Sequence, residues 1–87
     1  MSATMNVTIK YFASIREAIG QASELRETSA ATLAALRDEL LAASPAHAAS
    51  LARGKAVRMA VNQVMSEESA PLTDGCEVAF FPPVTGG

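Results

Sequence analysis

One cysteine, one histidine and no tryptophan stand among 87 residues, and each scarcity excludes chemistry. A lone cysteine rules out an internal disulfide framework and a cysteine-based zinc site. A lone histidine rules out a histidine-rich metal site and argues against Ser/His or Cys/His nucleophilic catalysis. Basic residues number 7 against 9 acidic, a net charge of −2. Without a cluster of Lys and Arg the chain lacks the phosphate-neutralising footprint of a nucleic-acid binder. No apolar run approaches the roughly 18 residues of a membrane span. Residues 1–7 carry neither a basic start nor an apolar stretch, so no secretory signal is expected. The chain is expected to be a reduced, cytoplasmic domain without side-chain catalytic machinery of its own.

What is present fits one domain. Apolar residues make up 49% of the chain, but 18 residues are alanine. The larger apolar side chains that remain suffice for a single compact core. In residues 6–12, Val7, Ile9 and Tyr11 alternate with Thr8, Lys10 and Phe12, the period of a half-buried strand. Residues 14–19 pair Ile15 with Ile19 and end at Gly20, which predicts a short helix with a glycine stop. Residues 23–27 predict a short polar strand, its Leu25 turned inward, forming a hairpin with the first. Thr32 suits the cap of the main helix, whose Leu33, Leu36 and Leu40 share one face. Ser44-Pro45 is expected to stop it, and the alanine-rich residues 46–52 to make a further short helix or turn, closed near Gly54. Val57, Met59 and Val61 mark a third strand, Asn62-Gln63 a turn, and Val64-Met65 a short segment. Thr73-Asp74-Gly75 is a turn signal before a last strand over residues 77–81, ended by Pro82-Pro83. The order β-β-α-β-β with small helical inserts predicts an α+β domain. A mixed sheet of four to five strands is crossed by one main helix.

The end of the sequence is chemically distinctive. A proline pair favours an extended backbone, so residues 82–87 are expected to leave the domain (residues 1–81) as a flexible tail with a stiff stem. Six extended residues reach at most about 20 Å. Gly86 and Gly87 carry no side chain, so the tip fits a channel in which a Cβ would clash. The one special group there is the Gly87 carboxylate. A carboxylate is a poor acyl donor until it is adenylated, and a partner enzyme must do that.

The run from Asp74 through Phe80-Phe81-Pro82-Pro83-Val84-Thr85-Gly86-Gly87 resembles the small, ubiquitin-like subunit of molybdopterin synthase. So do Tyr11-Phe12-Ala13, Arg16-Glu17, Ala60-Val61-Asn62-Gln63 and Pro71-Leu72-Thr73. The resemblance implies a ubiquitin-like β-grasp fold and a sulfur-carrier role in molybdenum cofactor biosynthesis. On that reading an E1-like enzyme adenylates Gly87, leaving a transient acyl-adenylate with AMP. A sulfur donor of the cysteine desulfurase or rhodanese type then converts it to a thiocarboxylate. The tail, with Pro82, Pro83, Val84, Thr85 and Gly86 as its stem, enters the large synthase subunit. Its sulfur there builds the dithiolene of molybdopterin from cyclic pyranopterin monophosphate. The small chain is then a non-catalytic subunit, in a heterotetramer, with no bound cofactor or metal and no contact with nucleic acid or membrane. Cys76 departs from the family pattern, which has an acidic residue there, and sulfur transfer in this family does not run through a carrier cysteine.

Phe12 and Phe81 fall on the parity opposite the core residues of their strands. If those strands are neighbours, the rings form an exposed apolar patch beside the tail, extended by Met65, where partners dock. Cys76 is expected to be an inert strand cysteine, His47 a surface residue, and Glu67-Glu68 a solvated pair. Arg16 and Arg58 are candidates to meet acidic groups of a partner. Two other readings share the tail: the sulfur carrier of thiazole biosynthesis, and a protein modifier conjugated through Gly87. The Phe-Phe-Pro-Pro-Val-Thr stem favours the pterin pathway. A plain binding module with an inert end is the third.

Overall fold

The alternation of β-branched and aromatic residues near the two ends of the chain brings those ends together. The computed structural model describes residues 4–52, 54 and 56–82. The expectations for Pro83, Val84, Thr85, Gly86 and Gly87 lie outside the described residues. Five strands, β1 (Met5–Tyr11), β2 (Ser23–Thr28), β3 (Arg58–Val61), β4 (Val64–Ser66) and β5 (Glu77–Phe81), form one sheet in the order β2-β1-β5-β3-β4. β1 and β5 run parallel at its centre, and the other neighbours pair antiparallel. This is the ubiquitin-like β-grasp arrangement that the sequence resemblance implies.

Three helices connect the strands: α1 (Ala13–Ile19), α2 (Leu33–Leu41) and α3 (Pro45–Leu51). α1 ends at Gly20, which takes the left-handed conformation (φ 91°) and returns its N–H to the Arg16 carbonyl at 2.8 Å. Thr32 caps α2 by accepting a bond from the Ala35 N–H. Ser44-Pro45 does more than stop that helix. Ser44 caps α3 and Pro45 occupies its first turn, where its fixed φ suits a helix start. The alanine-rich stretch is therefore a helix in its own right.

The core lies between one face of the sheet and the helices. Val7, Ile9 and Tyr11 of β1, Met59 of β3, and Val78 and Phe80 of β5 join Ile15, Leu33, Leu36, Leu40 and Leu51 in one cluster. Leu25 is a correction to the expected pattern: it opposes Thr8 in the β1–β2 register and is 75% exposed on the other face. Its neighbours Glu24 and Arg26 turn to the helix side instead. Single-strand polarity hid this, because a rim strand has only one flank to bury.

Two buried polar residues hold the helices in place. Arg37 of α2 is 4% exposed and donates from Nε to the Leu51 carbonyl at 2.7 Å and from an Nη to the Ala52 carbonyl at 3.0 Å. It thereby satisfies carbonyls that the end of α3 leaves without helical donors. Glu68 lies 4.0 Å from the same guanidinium, so only Glu67 of the acidic pair is freely solvated. His47 is also a correction, since it is buried rather than on the surface. Tyr11 meets its ring edge-on at 5.8 Å, and its Nε2 lies 3.3 Å from Glu24.

Candidate functional site

The site is assembled around β5, whose two ends are treated differently. Its start is anchored on both flanks. Asn62 and Gln63 take left-handed conformations (φ 51° and 68°), which suits a tight hairpin turn between β3 and β4. From that turn the Asn62 N–H donates to the Glu77 carbonyl at 2.7 Å, and its side-chain oxygen accepts the Glu77 N–H at 3.0 Å. On the other flank Gly75 (φ 82°) donates to the Asn6 carbonyl, and the Asp74 carboxylate accepts the Asn6 N–H at 2.8 Å. Cys76 is buried just before the strand begins, consistent with an inert packing role.

The far end of β5 lies beside an aromatic pair. Phe81 closes the strand and Pro82 follows it, both half-buried. Phe12 is not a strand residue: it is the extended N-cap position of α1, and its N–H reaches the Phe80 carbonyl at 3.3 Å. That extended backbone continues the β1 alternation by one step and turns the ring to the helix-free face. Phe12 and Phe81 consequently stack, their centroids 4.7 Å apart and their planes within 12°. Such pairs contribute about 0.5–1.5 kcal/mol beyond the area they bury. Phe12 keeps 39% of its surface exposed.

The register extends this patch across the sheet. Ala79 opposes Lys10 on one side and Ala60 on the other, and Ala60 opposes Met65. Ala60 and Ala79 are nearly inaccessible yet stand outside the core cluster. They form a low floor between the ring pair and Met65, which is 57% exposed. Polar groups border this floor: Arg58 opposes Phe81 in the register, and Lys10 pairs with Glu77 at 3.5 Å. The structure thus brings Phe12 and Phe81 into contact and sets Met65 on the same face. Arg16 and Arg58 are both exposed.

Sequence reasoning missed two features near the stem. One is a cleft of about 440 Å³ on the helix side of Pro82, lined by Ser14, Ile15, Ala18, Ser50, Val57 and Pro82. Nothing in the local pattern announces it, because α1, α3 and the stem meet only in the folded chain. The other is the polar chain Tyr11–Glu24–His47–Ser44. The Tyr11 hydroxyl donates to Glu24, and Ser44 Oγ sits 2.7 Å from His47 Nδ1. Burial, then the hydrogen bond to Glu24, pushes the Tyr11 phenol far above its ordinary range. Ser44 also accepts the His47 N–H as the α3 cap, so this chain anchors a helix rather than arming a nucleophile. Among the described residues no group of three His, Cys, Asp or Glu could hold a metal ion. No helix among them is long and apolar enough to cross a membrane.

The model of the ThiS family matches residues 9–87. The molybdopterin synthase sulfur carrier subunit of Escherichia coli (strain K12) is 43% identical over 81 residues, covering 93% of this chain and 99% of that protein. The crystal structure of SAMP1 from Haloferax volcanii superposes with a TM-score of 0.78 at 25% identity, covering 94% of this chain and 99% of that one. A chain of the protein–protein complex of subunits 1 and 2 of the molybdopterin-converting factor from Helicobacter pylori 26695 gives 0.64 at 27% identity, covering 95% and 100%. With a ubiquitin-like sheet, a central last strand and a family match over residues 9–87, the chain belongs to the ThiS family.

Proposed function

We propose that this protein is the sulfur-carrier subunit of a molybdopterin synthase and that Gly87 carries the sulfur as a C-terminal thiocarboxylate. The observation that carries the reading is the 43% identity to a sulfur carrier subunit of that enzyme over 93% of the chain. The site geometry supports it. A central strand, anchored at its start, ends at Pro82 beside a stacked ring pair of which Phe12 is exposed and Phe81 half-buried.

In the proposed cycle an E1-like enzyme transfers AMP from ATP to the Gly87 carboxylate. The persulfide sulfur of the donor then attacks the acyl carbon and AMP leaves, and a reducing thiol cleaves the acyl disulfide so formed, leaving the thiocarboxylate on Gly87 and the donor in a disulfide with that thiol. The large subunit takes up the tail, and the sulfur passes to cyclic pyranopterin monophosphate as the dithiolene is built. Phe12, Phe81 and Met65 form the docking face for the large subunit, and Pro82, Pro83, Val84 and Thr85 hold Gly86 and Gly87 at the reach its pocket requires. The paired subunits of the Helicobacter pylori factor support a large-subunit partner for this chain. The protein supplies the reacting group, and the partner supplies the substrate pocket and acid/base residues.

The test is intact-mass analysis after co-expression with an activating enzyme and a sulfur donor. The expected gain equals the difference between sulfur and oxygen, and it disappears when Gly86 and Gly87 are deleted while the thermal transition is unchanged. A deletion variant that still supports dithiolene formation in a reconstituted synthase would overturn the assignment. The likeness to SAMP1, of a kind named small archaeal modifier protein, favours a second reading as a protein modifier. Conjugates of Gly87 to lysine amines, seen as a ladder of heavier bands, would select that reading.

A further inference from the structure

The rim of the sheet formed by β2 has the features of a self-pairing edge. β2 stands last in the order β2-β1-β5-β3-β4, so β1 is its neighbour on one side, and among the described residues no strand pairs with its other side. Tyr11 donates its N–H to the Ala22 carbonyl at 2.9 Å, and the register continues with Ile9 opposite Glu24 and Val7 opposite Arg26. Bonded pairs in an antiparallel ladder recur at every second residue. Ala22, Glu24 and Arg26 therefore turn their backbone groups toward β1, while Ser23, Leu25 and Glu27 turn theirs outward. These three outward residues are all exposed, Leu25 to 75%.

We propose that β2 pairs with β2 of a second copy of this chain, antiparallel about a twofold axis through Leu25, so that two sheets continue as one. Three symmetric registers set the outward Leu25 opposite an outward residue of β2 in the other copy. Centring on Arg26 sets two guanidinium groups against each other, and centring on Glu24 does the same with two carboxylates. Centring on Leu25 sets each Glu24 beside the other copy's Arg26 on the helix side. It also brings the two Leu25 side chains together on the helix-free face. Opposite charges at facing strand positions stabilise and like charges destabilise, so the order Glu-Leu-Arg selects the third register. Charged residues ordinarily keep a free strand edge from pairing. Here they are complementary to their own copy. This inference stands apart from the sulfur-carrier reading, since it uses neither the tail nor the aromatic pair.

Sedimentation equilibrium of the full chain tests it. The wild type is expected to move toward twice the single-chain mass as concentration rises. Leu25→Pro removes an N–H that makes no bond to β1, and Leu25→Lys places like charges on the axis. Each should weaken self-association at least tenfold with the thermal transition retained. In the selected register the two residue-25 Cα atoms lie about 5.5 Å apart, within disulfide reach. Leu25→Cys should therefore cross-link on mild oxidation, and Glu17→Cys, on the exposed face of α1, should not. A single-chain mass at every concentration overturns the proposal. So does dimerisation that both Leu25 variants leave unchanged, or cross-linking at Glu17→Cys as fast as at Leu25→Cys.

Discussion

The two faces of the sheet are built from the same strands and have opposite fates. On one, Val7, Ile9, Tyr11, Val78 and Phe80 are sealed under three helices. On the other, Phe12, Phe81 and Met65 retain exposed surface around an alanine floor. Phe80 and Phe81 are consecutive, so the contrast turns on a single step of strand alternation. Local chemistry is nearly identical at the two positions. What differs is which layer covers them, and that makes one ring a stability element and leaves the other on the face proposed to meet a partner.

Substitutions can break the contrast. Phe80→Ala should have the largest effect, about 3–5 kcal/mol of lost stability, because the cavity opens in a fully buried cluster; urea unfolding measures it. Arg37→Met should cost about 2–3 kcal/mol by leaving the Leu51 and Ala52 carbonyls without their charged donor, and should raise amide exchange in α3. Phe81→Ala should cost stability under about 1.5 kcal/mol, since it loses a half-exposed stack. The same substitution should weaken calorimetric affinity for the large subunit by about 2 kcal/mol, the scale of an interface anchor. Equal stability losses for the two phenylalanines would erase the distinction between the faces.

Alkaline titration sharpens the contrast from the sealed side. Tyr11 is the single tyrosine, and its folded phenol titrates well above the unfolded value near 10. Its stabilising contribution is complete below that unfolded value. It is then lost at about 1.4 kcal/mol per pH unit as pH rises, because only the unfolded chain releases the proton. Phenolate absorbance should consequently appear together with unfolding, and absorbance preceding the loss of ellipticity would contradict it.

Much of this arrangement was legible in the sequence where a pattern was strictly local. Alternation located β1 and β5 together with their outward rings, Thr32 marked the α2 cap, and Thr73-Asp74-Gly75 marked the turn before β5. Residues whose environment is set by distant segments were not legible. His47 sits among alanines that give no sign of burial, yet Tyr11 and Glu24 close over it from two strands. Leu25 reads as an inward residue until the β1–β2 register sets it opposite Thr8. Arg37 looks like an ordinary helix-surface charge until α3 folds back across it. The cleft beside Pro82 has no local signature at all.

The parallel pairing of β1 with β5 has a consequence for timing during synthesis. Phe12 precedes α1 and Phe81 closes β5, so their stack forms only once the segments between them have been synthesised and β1 has paired with β5. A protein that bound both rings at once would recognise the assembled sheet rather than either segment alone.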